Sequence, residues 1–216
     1  MVTLPAALNG MPFPGEPIGC AINAFARSRI RVGQTVAIVG IGFLGALLTQ
    51  LAASAGATVI AISRRQFALD IAGAMGAKSL VRMDDHNCVV ARVRELTRGV
   101  MCDCVIEAVG LEWPLNLAAE LTKTRGTLVI AGYHQDGPRL INMQLWNWKG
   151  LDVVNAHERD IGVYRDGISA AVEAVASHAL DPSTLFTHWY PLERLGDALD
   201  ATHERPNGFL KALVVP

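Results

Sequence analysis

The chain has 216 residues, 51% of them hydrophobic and 18% charged, with a formal net charge of −1. That length supports one good core, or one domain with a fragment of another, and the apolar balance suits a parallel sheet covered on both faces. A near-neutral chain has no long-range field to recruit nucleic acid or an anionic membrane, so neither is expected as a partner.

Met1–Pro17 is rich in Pro and Gly and reads as irregular. It shows no basic stretch followed by an apolar one, and no apolar run in the chain reaches the ~18 residues of a membrane span, so a cytoplasmic location is expected. Residues 18–28 have helical periodicity, with Ile18, Ile22 and Phe25 on one side. Strands are expected at 35–39, 58–62, 79–81, 104–108, 127–131 and 151–154. Helices are expected at 43–55, 65–75, 85–97, 113–122, 143–148 and 161–179. Strands alternating with helices predict an α/β fold, a doubly wound six-stranded parallel sheet, because right-handed crossovers allow little else. After Asp181-Pro182 the pattern changes to a strand at 187–190, a helix at 192–203 and a last strand at 209–215. Four cysteines are too few and too irregular for a disulfide framework. Cys102 and Cys104 fall on one side of a strand, and with Cys88 they are expected as buried thiols.

The sharpest motif follows the first strand. Gly40, Gly42 and Gly45 give G-x-G-x-x-G between an apolar strand and an Ala/Leu-rich helix. The first glycine permits a tight turn, the second lets a pyrophosphate approach the backbone, and the third lets helix and strand pack closely. Free N–H groups around Phe43, Leu44 and Gly45 would face the phosphates. A tight β–α turn without a cofactor is the competing reading.

R-V-G-Q-T-V-A-I-V-G-I-G-F-L-G, C-D-C-V-I-E-A-V-G, G-T-L-V-I-A-G and the tail with G-F-L-K-A-L-V-V together resemble the medium-chain dehydrogenase/reductase superfamily, of the zinc alcohol dehydrogenase kind. The resemblance covers essentially the whole chain and implies a Rossmann cofactor domain at 32–182. Residues 1–31 and 183–216 would then be remnants of a β-rich catalytic domain whose N-terminal half is not in this sequence. P-I-G-C-A-I-N places Cys20 at a zinc position of the family, but the nineteen residues before it hold no further Cys or His. One thiolate cannot make a site, so no zinc is expected. The apolar faces of the two remnants are expected to fold onto each other or onto a neighbouring chain.

In NAD-binding relatives an acid at the end of the second strand holds the ribose 2′-OH. Here Ser63 stands there, followed by Arg64 and Arg65, which suits a 2′-phosphate because a guanidinium grips phosphate in a fork and keeps its charge. NADP is therefore the expected cofactor, although the two arginines could simply be solvated at a helix start. Other expected contacts lie at strand ends: Ala108, Val109 and Gly110; Gly132 and Tyr133; Asn155 and Ala156. By resemblance, Lys211 lies near the pyrophosphate; otherwise it is an exposed strand lysine. His134 and His157 are candidates to relay a proton during hydride transfer, or else are solvated loop histidines. The resemblance implies an oxidoreductase acting on a small-molecule alcohol or carbonyl, with a cofactor-binding module lacking its own catalysis as the alternative. A homodimer is expected through Leu151–Val154, with Trp146 and Trp148 near the contact.

Overall fold

A computed structural model describes residues 2–215. After α1 (Gly15–Ser28), strands β1 (Thr35–Val39), β2 (Thr58–Ser63), β3 (Ser79–Arg82), β4 (Cys102–Glu107), β5 (Thr122–Ile130) and β6 (Asp152–Asn155) form one parallel sheet. Its order is β3-β2-β1-β4-β5-β6. The crossovers carry α2 (Phe43–Ser54), α3 (Gln66–Ala74), α4 (His86–Leu96), α5 (Glu112–Leu121) and α6 (Met143–Lys149), and α7 (Ile161–Ala176) follows β6. The apolar alternation of β1 explains the layering. Val36 and Ile38 enter a core shared with α1, α2, α3 and α7, while Ala37 and Val39 enter a second core beneath α4 and α5. The sheet is thus covered on both faces, as its near-continuous apolar strands require.

The C-terminal part forms a separate parallel pair, β7 (Phe186–Pro191) with β8 (Lys211–Val215), linked through α8 (Leu195–Glu204). Helix α1 packs on α7 and α2, where Gly19 lies so close to Ile168 that a Cβ would sit 3.0 Å from it. Phe186 stacks on Phe43, with ring centroids 5.9 Å apart.

Several expectations are corrected. Both flanking segments pack on the cofactor sheet and its helices: Ile18 and Phe186 belong to the same core as Leu47. Trp189 stays 53% exposed. Met1 lies outside the described residues; within the stretch read as irregular, Ala6–Leu8 forms a 3-10 turn and α1 begins at Gly15. β5 begins five residues early, because Thr122 pairs with Cys102 of β4, and an irregularity between Cys102 and Cys104 absorbs the residues before the regular pairing resumes at Thr127. That irregularity also sends the two thiols to opposite faces: Cys104 joins the core with Ile38, Cys102 the one with Val39. Cys88 is exposed in the first turn of α4, its N–H capped by Asp85. β6 runs one residue later than expected, so Asn155 is its last residue. The last strand begins at Lys211, not at residue 209.

Candidate cofactor-binding site

The glycine loop crosses the sheet where its order reverses, between β1 and β4, the place where open α/β sheets take ligands. Gly40 has φ +97°, and a Cβ on Gly45 would lie 1.9 Å from the Gly40 carbonyl oxygen, so α2 can approach β1 only without a side chain there. A Cβ on Gly42 would meet open space, so this glycine leaves room for a ligand, not for the chain. α2 has no side-chain cap and no acidic residue in its first turn, which leaves its first N–H groups directed at that space. The cradle fits a pyrophosphate.

Two clefts meet above this loop. The larger, about 680 Å³, is bounded by Gly40, Gly42, Phe43 and Leu44, by Ser63, Arg64 and Arg65 at the end of β2, by Ala108 and Val109 after β4, and by Lys211. The smaller, about 390 Å³, shares Leu44 and Ala108 with it and adds Gly132, Tyr133, Ala156 and His157. Gly45, Gly110, Asn155 and His134 line neither cleft.

The end of β2 carries a cluster of cations. Burial first, and then the charges of Arg205 and Arg64, push the Arg65 guanidinium below its ordinary pKa. Arg65 donates from Nη1 to the Phe209 carbonyl at 2.6 Å, so it ties the β8 approach to the end of β2. Ser63 is buried, and its hydroxyl accepts the Arg65 N–H at 3.4 Å. Arg64 is exposed to the cleft, and Lys211 Nζ lies 5.4 Å above the Phe43 ring. Arg205, which caps α8 in a left-handed conformation, was not anticipated from sequence. It is 140 residues from Arg65, and nothing in its local pattern marks it.

The smaller cleft holds polar groups that sequence reasoning also missed, namely Glu16, Asn23 and Tyr164. The Cys20 thiol lies 3.2 Å from a Glu16 carboxylate oxygen and 3.8 Å from the Tyr164 hydroxyl. Burial and then Glu16 push this thiol up to about 11. Among the described residues no group of three His, Cys, Asp or Glu side chains could hold a metal ion. Cys20 and Glu16 supply two donors where catalytic zinc takes three from protein, so the residues do not fit that metal. His157 stacks on Tyr133, with ring centroids 5.3 Å apart.

A profile of zinc-binding dehydrogenases matches residues 44–177. The chain belongs to the zinc-binding dehydrogenase family. Among curated relatives, an alcohol dehydrogenase of Cupriavidus necator is 30% identical over 191 residues, 88% of this chain and 51% of its own length. The 2-dehydro-3-deoxy-L-galactonate 5-dehydrogenase of Pseudoalteromonas atlantica is 28% identical over 199 residues, 92% of this chain and 56% of its own length. The chain thus spans about half the length of the curated relatives it matches. A putative zinc-binding dehydrogenase from Sinorhizobium meliloti, solved bound to NADP, superposes with a TM-score of 0.79 at 28% identity, covering 94% of this chain and 58% of that one. No helix among the described residues of this zinc-binding dehydrogenase chain is long and apolar enough to cross a membrane.

Proposed function

We propose that this zinc-binding dehydrogenase chain binds NADP(H) along the trough, as part of an oxidoreductase that passes a hydride between that cofactor and an alcohol or carbonyl compound. The observation that carries the cofactor choice is the group of Arg64, Arg65 and Arg205 around the end of β2, with Ser63 in place of an acid. A carboxylate there would repel a 2′-phosphate; guanidinium groups attract it. The NADP in the Sinorhizobium meliloti relative supports the same choice.

When bound, the nicotinamide cofactor supplies the hydride chemistry. The chain's residues bind and orient. N–H groups of Phe43, Leu44 and Gly45 hold the pyrophosphate, with Lys211 beside it. Arg64 and Arg205 take the 2′-phosphate. Ala108 and Val109 border the adenine-ribose side, and Gly132, Tyr133 and Ala156 shape the nicotinamide side. His157, which lines the smaller cleft, would hold a proton there.

A second reading, a cofactor-binding module with no catalysis of its own, is favoured by the two-donor limit at Cys20 and Glu16. Alcohol oxidation needs an electrophile beside the substrate oxygen and walls that exclude water. Titrating the 216-residue chain with NADPH, and then assaying small alcohols and aldehydes with and without zinc, separates the two. Binding without turnover favours the module, and turnover favours an enzyme complete in this chain. Absence of NADPH binding contradicts both.

A further inference from the structure

We propose that Glu107, His134 and Arg139 form a directional polar relay that positions the two loops flooring the trough, with His134 held neutral as a positioning residue and not as a proton carrier. The proposal rests on the cofactor reading of that trough.

Glu107 ends β4 and its side chain is wholly buried, 0% exposed. A buried carboxylate without donors is costly, and this one is well supplied. Oε1 accepts the N–H groups of Val109 at 2.6 Å and Gly110 at 2.7 Å, while Oε2 faces His134 Nε2 at 3.0 Å. The Glu107 carbonyl accepts from Ala131 and Gly132, at 2.8 and 2.9 Å. One residue therefore holds both the loop after its own strand and the loop after β5. A Cβ on Gly132 would lie 2.6 Å from Glu107 Oε2, so the two loops are packed to contact. Ala108, Val109, Gly132 and Tyr133 line the clefts, and any slack at Glu107 moves those walls.

Arg139 sets the direction. Its Nε donates to His134 Nδ1 at 3.0 Å, its Nη2 donates to the Gly110 carbonyl at 3.0 Å, and it also pairs with Asp136. A guanidinium has only donors, so His134 Nδ1 must accept, and the ring proton sits on Nε2, donating to Glu107. The imidazole is neutral in this arrangement. A second proton on Nδ1 would meet the Arg139 N–H with donor against donor and cation against cation. The charged groups facing the ring are Glu107 from β4, and Arg139 and Asp136 from the loop after β5. Taking up a proton keeps the contact with Glu107 but breaks the one to Arg139, and with it the strap over Gly110.

The test is calorimetric titration of the 216-residue chain with NADP⁺ and NAD⁺, in wild type, Glu107→Gln, His134→Leu and His134→Gln. Glu107→Gln turns an acceptor into a donor facing His134. His134→Leu removes both ring contacts. A glutamine at 134 offers an N–H to Glu107 and an oxygen to Arg139. At a pH of about 8, Glu107→Gln and His134→Leu should each weaken both cofactors about tenfold, roughly one to two lost hydrogen bonds. His134→Gln should recover most of the loss. Because the loops serve the part common to both cofactors, the NADP⁺/NAD⁺ ratio should not move; a failed selectivity reading shows in that ratio and a failed relay in the absolute affinities. If Glu107→Gln does not fold, the two His134 variants still decide. Wild-type affinity in His134→Leu, or equal losses in His134→Leu and His134→Gln, would each overturn the proposal.

Discussion

Burial pushes the thiols of Cys102 and Cys104 up to about 12 each, with the charge of Asp103 as the next cause. In the unfolded chain a cysteine loses its proton near 8.5. Between those values the folded state binds more protons than the unfolded one, so stability is full below about 8.5 and falls as pH rises. We expect the urea midpoint to drop between pH values of about 8 and 10, and the Cys102→Ala/Cys104→Ala variant to lose less over the same interval. Equal slopes for the two proteins would contradict this. The same scale shows what sequence could reveal at the site. Ser63 and Arg64 were readable as residues of the larger cleft, because the strand end eighteen residues beyond Gly45 opens onto it. Arg205 was not, since it reaches Arg65 only by tertiary folding, and neither was the hold of Arg139 on the distant Gly110 carbonyl.

Whole elements were legible wherever apolar periodicity was continuous, as in β1, β2 and α2. Boundaries were missed where a partner, not the local sequence, makes the element. Thr122 reads as the end of a helix and 123–126 as the link to the next strand, yet all five belong to β5 because Thr122 finds a register partner in Cys102. The end of α5 shows the same dependence. Lys149, from the end of α6, donates to the carbonyls of Glu120 and Thr122 at 2.7 Å and of Ala119 at 3.3 Å, adding to the Thr122 N–H and hydroxyl that reach only the Ala118 carbonyl. Burial pushes this ammonium below its ordinary pKa, with the Glu120 charge opposing. Lys149→Met keeps the stem and removes the donors. It should cost about 2 kcal/mol, the range for hydrogen bonds from a charged group. Chemical denaturation measures it, and a loss below about 0.5 kcal/mol would show that water replaces the lysine.

For the whole molecule, the order of the sheet leaves β6 at an edge with unpaired backbone groups. Beside it Trp148 is 87% exposed and Val153 40% exposed, while Trp146 packs on the core beneath α5. We propose that two copies pair through this edge, because an open apolar strand invites another. Sedimentation should show a dimer for wild type and a monomer for Val153→Lys; a monomeric wild type would contradict it. Which cofactor the trough accepts decides what the chain can do. Titration calorimetry with NADPH and NADH measures that directly, in wild type and in Arg64→Ala and Arg205→Ala. We expect NADPH to bind about ten- to a hundredfold more tightly, as charge-assisted bonds to a phosphate imply, with Arg64→Ala removing most of the difference and Arg205→Ala part of it. Equal affinities, or a preference for NADH, would contradict the assignment of Ser63, Arg64 and Arg205.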